Sequence, residues 1–163
     1  GAINNILALF GIDGPSWLQS SKWAMPAIVL ASVWKDMGYF GLMLMSGLQG
    51  INQEYYEAAA IDGAGKIKQF TRITLPLLTP TLFFVLIISL INSFQLFTQI
   101  MIMTPDGGPL GSTMVMVERI YKYGFRYYEM GMAAANSWIL FAILLLLTMV
   151  QMKLQNKWVN YDD

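Results

Sequence analysis

The chain has 163 residues, of which 56% are hydrophobic and 12% are charged, and its formal net charge is zero. Soluble domains carry about 25% charged residues, so this composition argues against a soluble domain. The balanced charge offers no electrostatic footprint for nucleic acid, and we expect no nucleic-acid partner. The sequence contains no cysteine and no histidine, which excludes disulfides and removes the commonest general base and metal ligand. We therefore expect no metal site, no cofactor and no catalytic residue.

The N-terminal stretch, GAINNILALFGIDG, lacks a starting methionine and the basic region of a signal peptide. We expect the chain to be the C-terminal part of a larger protein. Residues 1–22 form a short amphipathic element and a turn, because Asp13-Gly14-Pro15 breaks the helical pattern. Trp17 and Trp23 are interpreted either as anchors at a membrane interface or as ordinary surface aromatics.

A first membrane span is predicted over residues 24–48, which is ample for a hydrocarbon core of about 30 Å. Lys35 and Asp36 fall in its middle, where each charge costs roughly 2.5–3.5 kcal/mol on insertion scales. Either they face a polar cavity or another helix, or the span breaks near Gly38. Tyr39, in the same span, is a polar aromatic and a candidate for contact with a solute.

A second span is predicted as one helix over residues 81–103, because 23 residues carry no charge. Asn92, Gln95 and Gln99 step by three and four, so they would share one face, while Ser93 lies off it. Lipid disfavours an amide stripe, so this face is expected to point into a helix bundle or along a path. Hydrogen bonds between helices remain the alternative to a solute path.

Residues 104–130 begin with a turn cluster, TPDGGPLGS, and continue as a helix rich in charged and aromatic residues. Glu118 and Lys122 stand in the favourable order for an i,i+4 ion pair. We interpret this helix as lying in the membrane interface, either as an anchor or as a lid over a path.

A third span is predicted over residues 131–152, again without charge, with a small-residue first half that includes Asn136. Asn136 is a further candidate for polar contact within the membrane. The chain would close with interfacial anchors at Lys153, Lys157, Trp158 and Tyr161. Three spans place the 49–80 loop on the side of the C-terminal tail, and counts of five against four basic residues hardly distinguish the two sides.

The loop over residues 49–80 is the long polar segment between the first two spans, and it is predicted as two short helices. Asn52 is placed to cap the first helix, and Gly63 and Gly65 to supply left-handed backbone at its end. We expect the second helix to stop at Pro76. This arrangement predicts a rigid elbow that projects from the membrane.

The elbow carries a specific motif, EAA-x3-G-x9-I-x-L-P, matched in full by Glu57-Ala58-Ala59, Gly63, Ile73, Leu75 and Pro76. The chain resembles the membrane subunits of binding-protein-dependent ABC importers, whose signature this is. The flanking DGA at 62–64 and LPLLTP at 75–80 look like the carbohydrate-importer branch, as do WKDMGY at 34–39, GGP at 107–109 and ILF at 139–141. The chain looks most like the first of the two permease subunits of maltose- and glycerol-phosphate-type importers.

The resemblance implies an all-α, polytopic fold with three of about six transmembrane helices, and a chain that is itself no enzyme. It implies that the motif residues dock a cytoplasmic ATP-binding subunit dimer, that a second permease subunit pairs with this one, and that an extracytoplasmic solute-binding protein docks outside. The elbow and C-terminus would then be cytoplasmic, in a multi-pass protein of the cell membrane. Sugar contacts are expected near Asn92, Ser93 and Gln95.

The leading hypothesis is therefore a permease subunit that moves a sugar, oligosaccharide or polyol through ATP-driven motion of the elbow. The alternative is a membrane scaffold or channel-like protein that needs no ATPase. Co-purification with a nucleotide-binding partner distinguishes the two hypotheses.

Overall fold

The regular structure of the chain is helical. The computed structural model describes residues 2–159, apart from the side chains of residues 156–158, and over that range it contains no β-strand. The α-helices are α1 (Ala2–Leu9), α2 (Ala24–Gln49), α3 (Gln53–Ile61), α4 (Lys66–Gln69), α5 (Leu75–Leu77), α6 (Thr79–Phe94), α7 (Thr98–Met103), α8 (Met116–Tyr121) and α9 (Met130–Trp158). Two π-helical segments, Phe70–Thr74 and Lys122–Arg126, and two 3₁₀ turns, Pro105–Gly107 and Pro109–Gly111, complete the order. The all-α prediction is confirmed.

The chain divides into two compact units, each built from two stretches of sequence. One comprises residues 1–35 and 94–141, and the other comprises residues 36–93 and 142–163. The second unit contains the whole of the predicted elbow.

Two helices are long and apolar enough to cross a membrane. These are α2, with 26 residues, and Met130–Gln155 of α9, also with 26. At about 1.5 Å per residue each exceeds the ~30 Å of a hydrocarbon core. A third candidate is the pair Lys66–Leu77 and Thr79–Phe94, which is bent by 60°. Up to three spans are thus present among the described residues.

The first and third predicted spans differ little from the helices observed. The alternative in which α2 breaks near Gly38 is wrong, because the helix continues through Lys35 and Asp36 to its end. Both residues take part in interactions. Helix α9 extends beyond the predicted end at residue 152. Of the predicted anchors, Lys153 is exposed, whereas the side chains of Lys157 and Trp158 and the whole of Tyr161 lie outside the described residues.

The prediction of one helix over 81–103 is wrong. Helix α6 ends at Phe94, residues 95–97 are not helical, and α7 begins at Thr98. A hydropathy pattern does not reveal such an interruption, because the residues on both sides of it are equally apolar. The second helix of the elbow, predicted to stop at Pro76, ends one residue later at Leu77, just before the bend into α6.

Within the first unit, Asn4 ties α1 to the turn that follows it. Its amide donates to the carbonyls of Gly14 and Pro15, both at 3.2 Å, and its oxygen accepts from the indole of Trp17. A side chain at Gly14 would collide with Asn4, so the close approach requires glycine there. The turn predicted at residues 13–15 is therefore held by one asparagine of the preceding helix.

The glycine- and proline-rich loop of the first unit closes on a buried pair of threonines. The hydroxyls of Thr104 and Thr113 lie 2.8 Å apart, and the Thr113 amide donates to the carbonyl of Gly107 at 2.9 Å. Gly108 has a φ of +68°, and a Cβ there would come 2.5 Å from the Thr113 hydroxyl. Leu110, at the tip, is 97% exposed.

Within the second unit, α2 approaches α6 closely at Gly47. A Cβ at this position would lie 2.5 Å from Thr81 Oγ1 and 2.9 Å from Leu78 Cδ1. Leu78 is buried just before α6. Small residues at such a contact let two helices pack closely without help from the hydrophobic effect, which is weak between helices in lipid.

We expect Gly47→Ala to destabilise the folded protein by about 1–3 kcal/mol, because the added methyl overpacks the contact with Thr81 and Leu78. The matched control is Gly41→Ala in the same helix, where a Cβ meets no atom within 4 Å. It should stabilise by up to about 1 kcal/mol through helix propensity. Thermal unfolding of both variants in detergent measures the difference, and equal midpoints would contradict a close contact at Gly47.

Candidate functional site

The first limb of the elbow is α3, and its start is capped as the sequence predicts. The Asn52 side-chain oxygen accepts from the Glu54 amide at 3.0 Å, and the Asn52 amide nitrogen lies 3.3 Å from Glu54 Oε2. Glu54 stands in the first turn, where the helix dipole favours a carboxylate. The cap and the charge together fix where the limb begins.

The two limbs meet at a tight glycine turn. Gly63 has a φ of +75°, and its amide donates to the Ala60 carbonyl at 3.0 Å. The Ala64 amide donates to the Ala59 carbonyl at 2.9 Å, so orphan carbonyls at the end of α3 are satisfied. The left-handed prediction is confirmed for Gly63 and wrong for Gly65, whose φ of −68° any residue can adopt.

The second limb runs from α4 through a π-helical segment into α5. The Leu75 amide donates to the Phe70 carbonyl, five residues back. The chain then bends by 60° into α6, and Thr79 Oγ1 donates to the Pro76 carbonyl at 2.6 Å within the bend. Pro76 and Pro80 thus flank the bend, and the Thr79 side chain provides a hydrogen bond to one backbone carbonyl within it.

The motif residues are divided between the two sides of the elbow. Glu57 and Ala58 are exposed, whereas Ala59 and Ile73 are half-buried. Leu75 is 42% exposed and Pro76 is half-buried at the bend. Two large apolar side chains next to the turn, Ile61 and Ile67, are 87% and 83% exposed. The elbow therefore leaves a carboxylate, a small residue and large apolar side chains exposed near the turn.

The residues predicted to line a path are divided between the two units. Tyr39, Asn92 and Ser93 belong to the second unit, and all three are exposed. Gln95, Gln99 and Asn136 belong to the first; Gln95 is exposed and the other two are half-buried.

The continuous amide stripe of the prediction is wrong. Its geometry required one helix through Asn92, Gln95 and Gln99, but the helix ends at Phe94, so Gln95 lies in the interruption and Gln99 in α7. Two other polar side chains bond their own helix. Ser93 Oγ donates to the Ser89 carbonyl at 2.7 Å, and the Asn136 amide donates to the Met132 carbonyl at 2.7 Å.

A buried charge cluster in the first unit was only half predicted. The predicted ion pair between Glu118 and Lys122 is confirmed, with Glu118 Oε1 and Lys122 Nζ 3.5 Å apart, and both side chains are buried. Lys122 also lies 3.8 Å from Asp106 Oδ1, which accepts from Arg126 as well. The cluster borders a cavity of about 80 Å³ beside the rings of Phe97 and Tyr121. Asp106 lies in the turn before the helix, and helical spacing alone does not predict that it approaches Lys122.

Comparison with known proteins agrees with the motif. Residues 2–161 match the family described as the binding-protein-dependent transport system inner membrane component. The chain belongs to that family. The resemblance drawn from the elbow is thereby confirmed, and with its apolar helices the chain is a membrane protein.

The relatives of this family member include permeases named for sugar-related solutes. The probable ABC transporter permease YesP of Bacillus subtilis is 37% identical over the whole chain and 53% of its own length. The sulfoquinovosyl glycerol transport permease SmoG of Agrobacterium fabrum is 37% identical over 94% of the chain and 50% of its length. The sn-glycerol-3-phosphate transport permease UgpA of Escherichia coli is 38% identical over 99% of the chain and 55% of its length. The chain thus spans about half the length of these relatives.

Solved structures show the same fold. A chain of a bacterial ABC transporter involved in the import of the acidic polysaccharide alginate matches with a TM-score of 0.83 and 25% identity, over 96% of this chain and 55% of that one. The alginate transporter has also been solved in complex with its alginate pentasaccharide-bound periplasmic protein, and it matches equally well. The polytopic helical architecture expected of the family is therefore confirmed.

We expect Gly63→Ala to loosen the elbow, because a Cβ at a φ of +75° costs about 1–2 kcal/mol. Gly65→Ala is the matched control, since its φ is ordinary and no atom lies within 4 Å of the new Cβ. Hydrogen exchange of the α3 amides should quicken several-fold in the Gly63 variant alone. The same exchange rates in both variants would show that the left-handed turn does not hold the elbow.

Proposed function

We propose that this chain is part of a permease subunit of an ATP-driven ABC importer, which moves a sugar, oligosaccharide or polyol across the cytoplasmic membrane. The elbow carries the proposal, because it holds the complete motif, with Gly63 in a left-handed turn and with Glu57 and Ala58 exposed. Relatives named for glycerol phosphate, sulfoquinovosyl glycerol and alginate support the class of solute. ATP hydrolysis belongs to a separate subunit.

The docking surface is the outer side of the elbow. An ATP-binding subunit would contact Glu57 and Ala58 and would bury the apolar side chains of Ile61 and Ile67, which are exposed in this chain. Burying exposed apolar area of this kind is the usual source of association energy. A dimer of ATP-binding subunits would bind this elbow and the elbow of a second permease subunit.

This assignment sets the orientation. The elbow and the end of α9 would lie on the cytoplasmic side. An extracytoplasmic solute-binding protein would deliver the solute from the other side of the membrane, as supported by the alginate transporter that was solved with its periplasmic protein. The three proposed spans are α2, the segment that begins with α6, and α9, and the second limb of the elbow stays outside the membrane.

Contact with the solute is proposed separately for polar side chains of each unit: Tyr39, Asn92 and Ser93 in the second unit, and Gln95, Gln99 and Asn136 in the first. Amide and hydroxyl groups suit a polyhydroxylated solute, since they both donate and accept hydrogen bonds. The interruption at residues 95–97 supports a path near Gln95, because irregular backbone at membrane depth occurs where protein or a water-filled cavity satisfies it.

The docking role predicts that Glu57→Lys will lower co-purification of the ATP-binding subunit at least several-fold in the complete importer. Glu57 is exposed, so the reversal should leave thermal stability within about 0.5 kcal/mol. Lys153→Glu, a reversal at an exposed lysine of α9, is the control that should keep the ATP-binding subunit. A Glu57→Lys importer that assembles and transports normally would exclude this surface, and a wild-type chain with no nucleotide-binding partner would support an ATPase-independent channel or scaffold.

If these amides contact the solute, Asn92→Ala and Gln95→Ala should each weaken the apparent affinity for the solute by about 1–3 kcal/mol, the loss expected when a hydrogen-bonding partner is removed. Solute uptake should fall accordingly. Uptake of a sugar panel into proteoliposomes measures the effect, and the yield of assembled complex is measured alongside. A matched loss of assembly would assign these amides to helix packing instead.

A further inference from the structure

A hydrogen bond between two residues that the family motif does not specify joins the two limbs of the elbow. The Tyr56 hydroxyl on α3 and the Thr74 hydroxyl at the end of the π-helical segment lie 2.8 Å apart, although the residues are 18 positions apart in sequence. Thr74 is 8% exposed. Tyr55, the residue before Tyr56, is by contrast 45% exposed, so the two consecutive tyrosines point to different sides of α3. Tyr56 thus faces the second limb while Glu57 and Ala58 face outward.

Thr74 lies where the elbow turns into the second span. Its carbonyl accepts from the Leu78 amide at 2.9 Å, and Leu78 is the residue immediately before the 60° bend into α6. Leu78 in turn fills the space above Gly47 of α2. A continuous series of contacts therefore leads from α3 through Tyr56, Thr74 and Leu78 to the packing of α2.

The segment that presents Thr74 is itself unusual. A π-helical turn is rare, and it appears mostly as a single insertion at functional sites. Here it covers the five residues that precede α5 and ends at Thr74. The π-helical turn thus ends at the residue that meets Tyr56.

We propose that the hydrogen bond between Tyr56 and Thr74 is a strut that transmits movement of the docked α3 helix into the bend at Leu78. This inference rests on the proposed function and adds two positioning residues to it. A hydrogen bond fixes direction as well as distance, so it holds the limbs at one angle when a partner displaces the first of them. Without the strut, α3 would pivot about the glycine turn and part of the displacement would be lost.

The test uses the complete importer, with its ATP-binding and solute-binding partners, reconstituted in proteoliposomes. Tyr56→Phe and Thr74→Val each remove one hydroxyl with little change of shape. We expect solute uptake per ATP hydrolysed to fall roughly two- to ten-fold in each, the factor that one lost hydrogen bond produces. The yield of bound ATP-binding subunit and the ATPase rate should remain unchanged, because neither hydroxyl lies on the outer side.

Two matched controls and a rescue accompany these variants. Tyr55→Phe removes the hydroxyl of the neighbouring exposed tyrosine, and Thr71→Val removes a hydroxyl that bonds its own helix, at the carbonyls of Ile67 and Lys68. Both should transport as the wild type does. Thr74→Ser keeps the hydroxyl and should restore most of the coupling. The double variant Tyr56→Phe with Thr74→Val should be no worse than either single variant, since the two share one interaction.

Several outcomes would overturn the strut. These are unchanged uptake per ATP in Tyr56→Phe, losses that add in the double variant, or equal defects in Thr74→Ser and Thr74→Val. A fall in assembly or thermal stability that accounts for the loss would assign the contact to folding alone. Failure of the proposed function itself is seen separately, because the wild-type chain would then bind no ATP-binding subunit or move no solute.

Discussion

The left-handed backbone at Gly63 is the constraint on which the elbow depends. It ends α3, returns the chain toward the same helix, and lets the Ala64 amide reach the carbonyl of Ala59. Only after this reversal does the second limb pass close enough to α3 for the hydroxyls of Tyr56 and Thr74 to meet. The outer surface with Glu57 and the inner contact with Thr74 are thus two results of one backbone conformation.

The apolar helices carry polar side chains whose hydrogen bonds are already made within the helix. Ser93 and Asn136 each bond a carbonyl one turn back, as does Ser89 at the carbonyl of Leu86. A polar group satisfied in this way costs little in an apolar setting, and a solute can compete for it without leaving a buried group unpaired. Such residues suit the solute contacts proposed above, which must form and break again.

Sequence alone predicted the features that depend on local chemistry. The Asn52 cap, the Gly63 turn and the extent of α2 follow from side-chain preferences over a few neighbouring residues, and the EAA motif identified the family because its spacing is specific over residues 57–76. The interruption after Phe94 escaped prediction, because residues 81–103 contain no charge and no glycine or proline that would indicate a break. Features that depend on distant residues were also missed. Neither the approach of Tyr56 to Thr74 nor that of Asp106 to Lys122 follows from a helical period, since each contact joins different segments of the chain.

The ion pair between Glu118 and Lys122 has a consequence for the loop that precedes it. Both side chains are almost wholly shielded from solvent, whereas Asp106 and Arg126 are more than half exposed. Mobile ions weaken exposed ion pairs as the salt concentration rises, and they screen buried pairs much less. The attraction within the inner pair therefore changes little with the surrounding salt, while the contact between Asp106 and Arg126 weakens first. Within this short stretch, the exposed contact is thus the more sensitive to salt and the buried pair the less sensitive.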